Sequence, residues 1–157
     1  MKSILCSLFV CGVSIAIAAQ ADPSKSRKIN HAKSQCHVDV AGGEYPGFKV
    51  FKKGRKEPIF APKSDGISDA KFSNSGTYIA FGSSEIDFVD VGSEQFGVAV
   101  LNCDTGKSKG FLAGKIVNGR ELKWSANDMS LSFNIYDPNS EKNTPSKLDF
   151  SKENSLP

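Results

Sequence analysis

The chain has 157 residues, with 20 basic against 17 acidic side chains and a formal net charge of +3. That balance is too weak to argue for binding nucleic acid or another polyanion. The length suits one domain with a real core and does not comfortably fit two.

The first segment reads as an address. Lys2 supplies a charged n-region, Ile4 to Ala18 is apolar, and Ala19-Gln20-Ala21 offers a small-x-small cleavage site after Ala19 or Ala21. The apolar run is short for a membrane span, which needs about 20 such residues. Residues 1–21 are therefore expected to be a signal peptide, and the mature chain, residues 22–157, to be soluble, periplasmic or secreted, and not membrane-spanning. Cleavage leaves 136 residues with 19 basic and 17 acidic side chains, a net charge of +2. Cys6 and Cys11 leave with the signal, so Cys36 and Cys103 are expected to form one disulfide. Closing so long a loop contributes on the order of 4 kcal/mol in the chain-entropy model. A zinc site is the alternative use of Cys36. The chain has no C-x-x-C pair, however, and His37 has no second ligand at metal spacing.

Residues 22–35, with Lys25, Arg27, Lys28 and Lys33, are polar and basic and are expected to be a flexible arm. His37–Val40 is a first strand and Gly42–Gly47 a loop. Phe48–Phe51 and Glu57–Phe60 form a hairpin, with Pro58 and Pro62 marking an edge. Ile67–Phe72, Thr77–Gly82, Gly97–Cys103, Phe111–Val117, Glu121–Trp124 and Leu131–Tyr136 follow, with turn residues between them. No segment carries a sustained 3.6-residue apolar period, so almost no helix is expected. After Pro138 the composition turns polar, and residues 139–157 are expected to be a loose C-terminal tail. The whole predicts an all-β domain over residues 36–138, of about eight antiparallel strands, built as a sandwich or as two propeller-like blades. Its expected core is Phe72, Ile79, Phe81, Val98, Val100, Leu112, Ile116, Leu122, Trp124, Leu131, Phe133 and Ile135.

Two segments read almost alike: Phe72-Ser73-Asn74-Ser75-Gly76-Thr77-Tyr78-Ile79-Ala80-Phe81, and Trp124-Ser125-Ala126-Asn127-Asp128-Met129-Ser130-Leu131-Ser132-Phe133. Each is a strand ending on an aromatic, a tight polar turn and an alternating return strand. Phe72, Ser73, Gly76, Ile79, Ala80 and Phe81 in the first copy, and Trp124, Ser125, Leu131 and Phe133 in the second, resemble the blades of TolB-type, WD-like β-propellers. Asn74 and Ser75 replace the Pro and Asp of that family's turn, and Asp128 stands where its Gly is usual. Two blades cannot close a ring, which takes about four or more. This resemblance implies a scaffold or assembly module, one that pairs with itself as a homodimer or joins a larger complex.

Ser75-Gly76-Thr77-Tyr78 also resembles the Ser-Gly-x-Tyr loop of periplasmic inhibitors of invertebrate-type lysozyme. Gly82-Ser83-Ser84-Glu85, Val91-Gly92-Ser93 and Phe111-Leu112-Ala113-Gly114 echo that family's spacing. In a second register the loop falls at Gly92–Phe96, with Phe96 in place of Tyr. This resemblance implies a small exported β-sandwich that blocks a glycosidase cleft. A Ser hydroxyl and a Tyr phenol would donate to its paired carboxylates. The competing role for the same residues is structural, with Ser73, Ser75 and Gly76 shaping a turn and Tyr78 packing on a neighbour.

Glu85, Asp87, Asp90 and Glu94 form an acidic run, read either as a contact for calcium or a basic partner, or as a solvated loop; the spacing fits no EF-hand. Lys49, Lys52, Lys53, Arg55 and Lys56 cluster on one hairpin, as phosphate contacts or as charges protecting an edge strand. The only histidines, the residue type suited to act as a base near neutral pH, are His31 and His37. The chain has no Gly-x-Ser-x-Gly elbow, phosphate loop or metal-ligand spacing. The expected function is therefore non-catalytic binding of a protein partner, at its most specific a lysozyme. No cofactor, metal or nucleic acid is expected. The candidate partner-binding residues are Ser75, Gly76, Tyr78, Glu85, Asp87, Asp90 and Phe96.

Overall fold

The computed structural model describes residues 26–42, 47–62, 67–83, 89–91, 94–151 and 156–157. The expected signal peptide lies outside these residues. The fold is all-β, and the one helical element among the described residues is a 3-10 turn at Gly119–Glu121. Three antiparallel sheets follow one another along the chain. The first is β1 (Arg27–Asn30), β2 (Cys36–Val40) and β3 (Phe48–Lys52), in that order. In the second, β4 (Ile67–Phe72), β5 (Tyr78–Ser83) and β7 (Glu94–Asn102) lie side by side, and β6 (Val89–Val91) and β8 (Ser108–Ala113) both pair with β7. The third is β10 (Lys123–Trp124), β11 (Ser130–Asp137) and β12 (Lys142–Asp149), with β9 (Ile116–Val117) also on β11.

The second sheet is the middle layer. Along β5, Ile79 and Phe81 pack with Val38, Val40, Phe48 and Val50 of the first sheet. Ala80, between them, belongs with Leu131, Phe133 and Val117 of the third. Along β7 the alternation repeats, Ala99 and Leu101 to one side and Val98 and Val100 to the other. Both faces are covered, so Val98-Ala99-Val100-Leu101 is an unbroken apolar run instead of a half-polar one. The outer sheets show alternation. In β2, Cys36, Val38 and Val40 are buried while His37 and Asp39 are partly open. Arg27 reaches Asp69 at 3.5 Å, and Lys52 Nζ donates to the Asp104 carbonyl at 2.7 Å, so polar contacts also join the first two layers.

Three expectations change. Arg27–Asn30, placed in a flexible arm, is a strand paired with β2 over its whole length. Its polar composition reflects its place at the rim of a sheet, where Ile29 alone packs on the core. The tail expected from Asn139 onward contains β12, which pairs with β11 from Ser130 to Asp137. This edge strand is open enough to be polar, and it tolerates Pro145 because its outer N–H row needs no partner. Leu148 within it and Phe150 just beyond it are buried. Glu57–Phe60 makes only an isolated bridge, Val50 to Phe60, since Pro58 has no N–H to extend a ladder. Of the expected core, Ile79, Phe81, Val98, Val100, Leu122, Leu131 and Phe133 are buried. Phe72, Leu112, Ile116, Trp124 and Ile135 are half-buried.

Candidate functional site: a column of turns and a cysteine pair

The two similar segments fold as the same hairpin, bond for bond. In the first, Ser73 N donates to Tyr78 O at 2.9 Å, Gly76 N to Ser73 O at 3.0 Å, and Tyr78 N to Ser73 Oγ at 3.1 Å. In the second, Ser125 N donates to Ser130 O at 2.9 Å, Asp128 N to Ser125 O at 3.0 Å, and Ser130 N to Ser125 Oγ at 3.0 Å. Even the inner side chains correspond. Thr77 N donates to Ser75 Oγ and Met129 N to Asn127 Oδ1, both at 3.2 Å. Gly76 and Asp128 both occupy the left-handed region, at φ 78° and 57°. A third, degenerate copy escapes the sequence: His31-Ala32-Lys33-Ser34 closes with Ser34 N donating to His31 O at 3.0 Å.

These three turns stack at one end of the layers. Gly76 sits against the first turn, where a Cβ would lie 2.7 Å from Ser34 N and 2.8 Å from His31 Nδ1. Glycine is required there for space as well as for φ. Asp128 leans on the second turn, its Oδ1 accepting from Asn74 N at 2.7 Å and Asn74 Nδ2 at 2.9 Å, and its Oδ2 from Ser75 N at 2.8 Å. Asn74 Nδ2 also donates to the Ser125 carbonyl at 2.7 Å. Burial by itself would push the Asp128 carboxyl up. The donors from Ser75 and Asn74 outweigh it and hold the group below its ordinary 3.8. Trp124 adds an indole N–H to the Lys71 carbonyl at 3.0 Å.

Each candidate contact residue now has a place. Ser75 is exposed, with its N–H committed to Asp128. Gly76 is buried between turns. Tyr78 is half-buried, its ring stacked on Trp124 at 6.2 Å, and Trp124 lies 5.8 Å from Phe150. Phe96 lies over Gly110, whose added Cβ would fall within 2.3 Å of three ring atoms. Asp90 is in β6, opposite Gln95. Glu85 and Asp87 lie outside the described residues. Turn and strand positions therefore do not converge: Tyr78 pairs with Asn102 at one end of β7, while Phe96 and Asp90 lie towards the other.

Cys36 opens β2 and Cys103 follows β7, and the two buried side chains approach to 2.5 Å. As thiols, Cys36 donates to Cys103, which together with burial pushes the Cys36 thiol far up, and accepting that bond holds Cys103 down. Ser34 Oγ donates to Cys103 Sγ at 3.6 Å. The basic hairpin borders a shallow cleft of about 500 Å3, where Arg27, Lys28 and Lys49 surround Asp39 above Phe48 and Pro62. Arg27 is engaged with Asp69 and Lys28 with Asp39. Among the described residues, no three His, Cys, Asp or Glu side chains gather at metal-binding distance, and no helix is long and apolar enough to cross a membrane. No protein-family model matches the chain, and no curated protein does.

Proposed function

We propose that the chain is an exported, non-catalytic protein-binding β-domain that presents its column of turns to a partner. The observation that carries this reading is Met129, the one large apolar side chain among the described residues that is exposed, at 40 %. It sits on the last turn of a column fixed by internal polar contacts, and Met is among the residue types enriched at protein–protein interfaces. The Cys36–Cys103 pair fits the same reading as a disulfide joining the first layer to the second in an oxidising compartment.

The most specific partner is a lysozyme of the invertebrate type, as the Ser75–Tyr78 resemblance implies. Ser75, Asn74, Asn127 and Met129 would be the exposed contacts, with Tyr78 bracing them from behind. An inhibition assay with the mature protein tests this. Near-stoichiometric loss of lysozyme turnover is expected, weakened by Met129→Lys, and unimpaired turnover at a large molar excess would retire the lysozyme. A scaffold role is the second reading, favoured by three sheets stacked in chain order with aligned turns, as neighbouring propeller blades are. Sedimentation of the mature chain tests it: a strict monomer at working concentration speaks against self-assembly.

A further inference from the structure

The repeated turn binds a carboxylate in one copy and is open in the other. In the first copy, the main-chain N–H groups of Asn74 and Ser75 converge on Asp128. Their counterparts in the second copy are the N–H groups of Ala126 and Asn127. Both residues are exposed, and among the described residues neither N–H has an acceptor. The backbone bonds that shape the two turns are the same, so the second pair of donors is set as the first pair is. Successive N–H groups held in such a turn form an anion-receiving concavity.

We propose that the Ser125–Ser130 turn is a carboxylate site, receiving an aspartate borne on a tight turn of a partner protein through Ala126 N and Asn127 N. Asp128 is the precedent for the ligand: a carboxylate from the fourth position of one turn fits the second and third N–H groups of the next. The surroundings suit a protein ligand. Met129 offers apolar surface beside the donors. Lys123 and Lys147 flank Ser132 across the outward face of the third sheet, giving an acidic partner two cations near the turn. A second copy of this chain does not fit, because its free-edge turn carries Ser34 at the fourth position, and Ser34 Oγ already accepts from Cys36 N at 3.0 Å.

The inference rests on the protein-binding reading but fails separately from it. The test is amide NMR of the 15N-labelled mature chain titrated with sodium acetate, against sodium chloride at equal ionic strength. Acetate should shift the Ala126 and Asn127 amides saturably in the millimolar range and leave Asn74 and Ser75 still. In Asp128→Ala, or in Asp128→Asn should the first fail to fold, Asn74 and Ser75 should begin to respond. Ala126→Pro, at a turn position that favours proline, should weaken acetate binding at least threefold. A closed hairpin peptide carrying residues 124–133 should bind about tenfold or more tightly than acetate, and its Asp→Asn version should not. Equal shifts with chloride, or no saturation at Ala126 and Asn127 while the vacated Ser73–Gly76 turn saturates, would overturn the site. A peptide no tighter than acetate would overturn the protein ligand. Failure of the acetate titration with a partner complex intact would refute the site and spare the protein-binding reading.

Discussion

Removing the Asp128 carboxylate should cost a large part of the stability the turns contribute. Asp128 is only 8 % exposed, and its two oxygens take three N–H donors from Asn74 and Ser75. Hydrogen bonds to a charged group contribute about 1.5–3 kcal/mol each when they act alone. These three share one carboxylate at the protein's edge, so about 3 kcal/mol in total is the reasonable expectation for Asp128→Ala. A second effect runs the other way. At φ 57° a residue with a side chain is strained by roughly 1 kcal/mol relative to glycine. Asp128→Gly should therefore cost about 2 kcal/mol, less than Asp128→Ala, although it removes more atoms. Urea unfolding followed by Trp124 fluorescence measures all three proteins. Wild-type stability for both variants, or glycine worse than alanine, would refute the carboxylate clamp.

The same clamp sets a pH dependence. The Asp128 carboxyl is held below its unfolded value of 3.8, so its contribution is complete above about pH 4 and is lost as pH falls through the lower folded value. Wild type and Asp128→Asn should therefore converge in strong acid, with the gap between them opening as pH rises towards about 4 and staying constant above it. Gly76→Ala meets both a left-handed φ and the 2.7 Å approach to Ser34 N, and should lower stability by about 2 kcal/mol or more in a thermal melt. Tyr78→Ala should lose the Trp124 stack and about 2–4 kcal/mol, with a red shift of the tryptophan emission. An unchanged melt with partner binding abolished would instead make Tyr78 a contact residue. Mass spectrometry of the protein purified under oxidising conditions should find Cys36 and Cys103 linked, and reduction should lower stability by about 3–4 kcal/mol. Two alkylatable thiols in the purified native protein would contradict the pairing.

Much of the frame was legible because it depends on local pattern. The Ser73 and Ser125 turns stand out through an aromatic, a serine and a short polar run, and both fold as hairpins. Val98–Leu101 was legible as a strand. Its unbroken apolarity was also the signal for a layer covered on both faces, a signal that a search for alternation passes over. β1 and β12 were hidden by position: strands at the rim of outer sheets bury one side chain in several, so Arg27–Asn30 and Lys142–Asp149 have the composition of loops. The turn at His31–Ser34 lacks the aromatic-serine opening, and only its bond pattern and its contact with Gly76 reveal it. Asp128 was visible as a departure from glycine. Its purpose was not, since its acceptor role involves donors more than 50 residues away.

Hydrogen exchange at four amides tests most directly the claim that one turn is filled and its copy open. Asn74 and Ser75 should exchange slowly, at rates that rise in Asp128→Ala. Ala126 and Asn127, in the same turn geometry, should exchange as freely as solvent-exposed loop amides. Equal protection of the two pairs, or protection of Asn74 and Ser75 that survives Asp128→Ala, would contradict it.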